Sequence, residues 1–255
     1  MKQYEKFGEK RFKEREEHFR GEKERLGASK KAEEKKRRRE EEGKYFYCAI
    51  MCNKEKSFGN IGMNNNEVYA ISYRDVGAVV NDSPMKDYEL TGDNTKRHDD
   101  VIRQIMEEHA VVPVEFGTLI KNERILRCLL RKAYDPAREC LKLVDNMVEL
   151  GVKAVLNEDT VFDDPKKRKE CISDVLGSLE TKAKQTVTGD LFSSRLILNA
   201  SFLVDKEGVN AFSNEVMRLR EKYPMLKLLY SGPWAPYSFV YIKIGAKGVE
   251  ITKNR

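Results

Sequence analysis

From Tyr45 onward this sequence predicts an α+β fold of the split βαβ kind, built twice, and three observations support that reading. Short apolar runs of strand length alternate with stretches whose apolar residues recur every three or four positions, as in helices with one buried face. The alternation runs once to Gly151 and begins again at Val152. The first 43 residues carry too few apolar side chains to join either unit. The chain therefore divides into a charged extension (1–43), an N-terminal α+β domain (44–150), a C-terminal α+β domain (151–245) and a short basic tail (246–255). Periodicity by itself leaves one larger sheet open as the alternative arrangement.

Tyr45–Met51 is apolar at successive positions, so both its faces need cover and it belongs in the middle of a sheet. After the loop Asn64-Asn65-Asn66, Val68–Tyr73 and Val76–Val80 read as a hairpin turning at Arg74-Asp75. Asn94 or Thr95 suits the N-cap of a helix whose stripe is Val101, Ile102, Ile105 and Met106. Val111–Phe116 follows as a strand that Pro113 confines to an edge or a bulge. Ile125, Leu126, Leu129, Leu130 and Ala133 mark a second helix. Cys140, Leu141, Val144, Met147 and Val148 mark a third, with Asp135-Pro136 as the break between them and Gly151 as its C′ residue.

The second unit opens with strand Val152–Leu156 and a helix carrying Cys171, Ile172, Val175, Leu176, Leu179 and Ala183. Strand Arg195–Val204, a helix with Val209, Phe212, Val216 and Leu219, and strands Leu226–Tyr230 and Tyr237–Ile244 complete it. The segment Ser231–Tyr241 concentrates the only Trp, two of the seven prolines and three further aromatics. Gly232-Pro233 fits a tight turn there, and Pro236 delays strand pairing until Tyr237.

Two blocks carry a family resemblance. Pro113–Thr118 reads P-V-E-F-G-T, and Gly232–Phe239 reads G-P-W-A-P-Y-S-F. With the aromatic strand Tyr45–Ile50 before them, a helix opening on His98 and the later strand Ala200–Asp205, they occur in the order found in the gas vesicle accessory proteins of the GvpF/GvpL family. Over roughly residues 44 to 244 the chain resembles that family. The resemblance implies two small ferredoxin-like α+β domains. It implies a protein of gas vesicle organisation, an accessory or minor structural component that binds the hydrophobic major gas vesicle shell protein and supports nucleation or assembly. Other gas vesicle accessory proteins are implied as further partners, and the gas vesicle as its location.

Composition narrows the function classes. With 35% charged residues, no stretch approaching the roughly 18 apolar residues of a membrane span and no signal-peptide core, the chain reads as soluble and cytoplasmic. Five cysteines at scattered positions form no disulfide pattern. The net charge of +6 raises nucleic acid as a partner, but residues 1–44 hold 17 Lys and Arg against 12 Asp and Glu, which leaves the remainder at +1. The basic run Lys35–Arg39 meets Glu40-Glu41-Glu42 at once, which argues against a phosphate-binding patch.

No phosphate loop, nucleophile elbow or zinc-protease motif is present, so the reading is of a non-enzyme with no catalytic, metal or cofactor residues. His98 and His109 fall ~16 Å apart on one helix and cannot share an ion. His98 instead suits packing at a helix start against the sheet. Aromatic side chains bring large contact area, so Phe116, Trp234, Tyr237 and Phe239 are the candidate partner-binding residues. Two other classes remain open at this point: a nucleic-acid binder acting through the basic tail, and a ligand-binding or enzymatic ferredoxin-like domain.

Overall fold

The computed structural model describes residues 42–158, 165–245 and 248–253. The readings made for residues 1–41, including the run Lys35–Arg39, lie outside the described residues.

A six-stranded sheet forms the first half. β1 (Gly43–Met51) is its spine, buried at every position but Met51. On one side it pairs antiparallel with β4 (Val76–Ser83), which continues to β3 (Val68–Tyr73) and the short edge strand β2 (Ser57–Gly59). On the other it pairs with β5 (Val111–Pro113) and, further along, β6 (Leu119–Ile120). Both faces of β1 are indeed covered. α1 (Gly92–Glu108) lies on one face, while α2 (Glu123–Lys132) and α3 (Tyr134–Leu143) lie on the other. Where a split βαβ unit has a helix between its first two strands, this half has only β2 and the turn Met63–Asn65. Gly59 and Gly62, together with Asn64 and Asn65 at positive φ, disfavour a helix there.

Several boundaries differ from the sequence reading. α1 begins three residues early, because Thr91 takes the extended cap conformation and accepts from the Asn94 amide at 3.2 Å. Thr95 is spent inside the first turn, donating to the Thr91 and Gly92 carbonyls. The break between α2 and α3 falls at Ala133, so Pro136 stands third in α3, where its missing N–H is still no loss. α3 stops at Leu143. Met147 and Val148 belong to β7 (Met147–Leu156), and Gly151 lies within that strand. Val148, Leu150, Val152, Ala154 and Leu156 alternate along β7, and this period of two takes precedence over the short helical match at 144–148.

The second half runs β7, α4 (Pro165–Glu180), β8 (Gln185–Thr188), β9 (Leu196–Asp205), α5 (Val209–Lys222) and β10 (Leu226–Trp234), with sheet order β10-β7-β9-β8 and every neighbour antiparallel. Phe202 of β9 meets Phe212 of α5 at 5.1 Å between ring centres. β10 continues through Gly232-Pro233, read from the sequence as a tight turn. A bulge between Ser231 and Trp234 absorbs the irregularity, with a cis Gly232–Pro233 bond and Gly232 at φ +118°. The turn comes later, at Ala235–Phe239, where the amides of Phe239 and Val240 both donate to the Pro236 carbonyl at 3.0 Å.

Tyr237 therefore opens no strand. β11 (Val240–Gly245) pairs with β12 (Gly248–Lys253), so the expected basic tail at 246–255 contains a strand. This hairpin packs on the first half: Val240 and Ile242 are buried in one cluster with β1, β5, α2 and α3. A second cluster runs from β1 through α1 into β7, β9, α4 and α5, which makes α1 the shared wall between the halves.

Candidate partner-binding site

The two sequence blocks converge on the start and middle of α1. In the first, Gly117 at φ +81° closes the turn from β5 to β6, and Thr118 donates its hydroxyl to the Glu115 carbonyl at 2.7 Å. The Gly117 amide donates to the Tyr45 hydroxyl at 3.0 Å, and that hydroxyl meets His98 Nδ1 at 3.0 Å. The other His98 nitrogen, Nε2, lies 3.1 Å from the Val114 carbonyl. A carbonyl only accepts, so Nε2 carries the proton and Nδ1 accepts from Tyr45, which is the neutral ring. Burial pushes the His98 pKa down to about 4. Phe116, half-buried, packs edge-on against His98 at 5.8 Å.

In the second block, each residue type has a structural reason. Gly232 lies against β7, where a Cβ would sit 2.8 Å from the Glu149 carbonyl, so no larger residue fits without a shift. The Glu149 carboxylate accepts from the Ser238 amide at 2.8 Å and hydroxyl at 2.6 Å, pinning the turn to β7. Phe239 is fully buried. It was expected at a partner surface, but its position after a pinned turn drives it into the core.

Trp234 is different. It is 39% exposed, and its ring lies 5.2 Å from the Arg103 guanidinium of α1, a cation–π pair. Trp234, Tyr237 and Ala235 line a shallow crevice with Asp99, Ile102 and Met106 of α1. The Tyr237 hydroxyl reaches Asp99 at 3.5 Å. Burial raises the Tyr237 pKa far above its usual range and lifts Asp99 above the ordinary carboxylate value.

Of the four aromatic candidates, Trp234 and Tyr237 share one crevice, Phe116 packs one residue before Asp99, and Phe239 is internal. Sequence reasoning missed Arg103 and Glu149. A lone carboxylate inside the apolar run Val148-Glu149-Leu150 was the available signal for the latter, since such a group needs donors. Among the described residues no cluster of three or more His, Cys, Asp or Glu is placed to hold a metal ion, and no helix is long and apolar enough to cross a membrane.

Fold and crevice thus define an α+β protein with two antiparallel sheets joined across α1 and an exposed aromatic at the junction. The family model described as gas vesicle synthesis protein GvpL/GvpF matches residues 43–166 and 163–241. Gas vesicle protein F1 of Halobacterium salinarum is 37% identical over 185 residues, 71% of this chain and 84% of the relative. Gas vesicle protein F of Haloferax mediterranei is 36% identical over 183 residues, 70% and 84% of the two chains. The crystal structure of the gas vesicle protein GvpF from Anabaena shares the fold at a TM-score of 0.67 and 18% identity, covering 77% of this chain and 97% of that one. That of GvpF from Microcystis aeruginosa does so at 0.68 and 16%, covering 77% and 98%. The chain belongs to the GvpL/GvpF family of gas vesicle synthesis proteins, and its work lies with gas vesicles.

Proposed function

We propose that the protein is a non-enzymatic accessory factor that binds the hydrophobic major gas vesicle shell protein and supports nucleation or assembly of the vesicle, acting with other accessory proteins. A subunit whose assembled wall faces gas exposes apolar surface before assembly, and in water such surface associates without selection unless something covers it. The observation that carries the reading is Trp234: a large aromatic left 39% exposed over a shallow crevice, with its ring against the Arg103 guanidinium. Tyr237 lines the same crevice, Phe116 packs on His98 nearer the start of α1, and Phe239 anchors the turn that follows Trp234. The β-α-β-β-α-β order of the second half supports a ferredoxin-like frame beneath the crevice.

The test is co-expression of the full chain with the shell protein in a host without gas vesicle genes, followed by co-purification. Retention of soluble shell protein is expected, with a several-fold loss for Trp234→Ala. Absence of retention by the wild-type chain would overturn the reading.

A further inference from the structure

The last turn of α1 carries charge of the sign that a helix end disfavours. Its free carbonyls make a helix C-terminus negative, so cations suit it, yet this turn holds Glu107 and Glu108 and no basic residue. Two lysines reach it from elsewhere. Lys206 donates to the Met106 carbonyl at 2.6 Å, and Lys56, just before β2, meets the Glu108 carboxylate at 2.8 Å. Lys56 also donates to His109 Nε2 at 3.1 Å and lies 5.1 Å over the Phe58 ring. An ammonium group only donates, so the proton of the neutral His109 ring is on Nδ1. Burial and the Lys56 charge lower the His109 pKa, and the ring adds no positive charge near neutral pH. Among these groups a cleft of about 230 Å³ stays open, lined by Phe58 and Ile105 and by the polar side chains of Gln104, Glu107 and Glu108. Glu107 has no ion-pair partner among the described residues.

We propose that this cleft is a binding site for a basic side chain, arginine or lysine, carried by an extended segment of a partner protein that adds to the edge of β2. It is independent of the Trp234 crevice and of the shell-protein reading. Charge selects the class: Lys56 answers one of two carboxylates, and the negative helix end adds to what is left. Lys56 also shows how a cation sits here, with its head among acceptors and over an aromatic ring. The apolar stem of a second basic side chain would lie on Phe58 and Ile105. Exposed ion pairs contribute little singly, so a free amine would be held weakly. The edge of β2 supplies the rest. It ends the sheet, and its ladder to β3 begins at Lys56, whose carbonyl accepts from the Ala70 amide at 2.8 Å. Residues 56–59 thus offer an outer edge with no strand on it among the described residues, and strand addition gains affinity through such an edge.

The test is a chemical-shift titration of the full chain with a synthetic peptide of alternating valine and threonine around one central arginine. Three controls run beside it: the same peptide with central glutamate, a backbone N-methylated form, and N-acetyl-arginine amide. The expected result is shifts confined to residues 56–59 and 104–109, with the glutamate peptide weaker by about ten-fold or more. The N-methylated peptide and the free amide should also bind more weakly than the arginine peptide. Glu107→Lys should weaken the arginine peptide by about five-fold or more, and Gln104→Arg should act in the same direction. Either variant places a cation near the negative end of α1, so the melting temperature should hold or rise while binding falls. Binding and melting temperature falling together in both variants would mark a structural role and overturn the proposal. So would the absence of binding, shifts elsewhere, or equal affinity for the arginine and glutamate peptides. A free amide that binds as tightly as the peptide would give the cleft to small amines, and a wild-type dimer that the peptide dissociates would give it to a second copy. Either result overturns the assignment to a partner segment.

Discussion

At the scale of single residues, His98 has the clearest predicted consequence. Its pKa is about 4 in the folded protein against an ordinary 6.5, so between those values the unfolded chain binds more protons than the folded one. Stability should therefore be intact above pH 6.5 and fall on acidification toward pH 4, by about 3 kcal/mol from this group. Urea titrations across that window should show His98→Gln with a shallower pH slope than wild type. A second residue-scale prediction concerns Tyr47, whose hydroxyl donates to Asn81 and accepts from the Met63 amide at 2.7 Å inside the core. Tyr47→Phe leaves both partners buried and unsatisfied, and should cost about 1–3 kcal/mol by chemical denaturation. Trp234→Ala, by contrast, removes a side chain well exposed to solvent and should lower the melting temperature little. A large drop would assign Trp234 to the core and remove it from the binding surface.

At the scale of elements, the cap of α1 is a separable contribution. Thr91→Ala loses one side-chain cap at an exposed helix start and should destabilise the protein by about 1 kcal/mol, readable as a shift of the denaturation midpoint. Elements with long, regular burial were legible in the sequence: β1, the β3–β4 hairpin, α1, α5 and β9 all lie within a few residues of their expected positions. Those that failed did so for local reasons. β2, β6 and β8 are two to four residues long, too short for alternation to register. The start of β7 was drawn into a helix because apolar residues at 144, 147 and 148 satisfy a helical spacing by chance. Proline was taken as a turn at 233, where the bulge in β10 accommodates it in place. Of the candidate site, the aromatic content of the last block was legible. The separation of exposed Trp234 from buried Phe239 was not, because it depends on Glu149, 89 residues away from Ser238 in sequence.

At the scale of the whole molecule, polar ties to α1 help to join the halves. Lys206 donates to the Met106 carbonyl at the end of α1 at 2.6 Å and the Tyr237 hydroxyl reaches Asp99, while Glu149 holds Ser238 and so pins the turn that carries Tyr237. Glu149→Ala should free the turn at 235–239 and raise amide exchange there without altering exchange in α2 or α3. Equal acceleration throughout the first half would instead show that the halves unfold as one. The buried hairpin β11–β12 also sets an order of events during synthesis. α2 and α3 are complete when Leu143 leaves the ribosome, yet the strand that covers them starts only at Val240. At about 5–20 residues per second, the apolar surface of β1, α2 and α3 that Val240 and Ile242 cover stays bare for roughly 5–20 s on every newly made chain. A nascent copy thus passes through an uncovered form before the hairpin first closes on it.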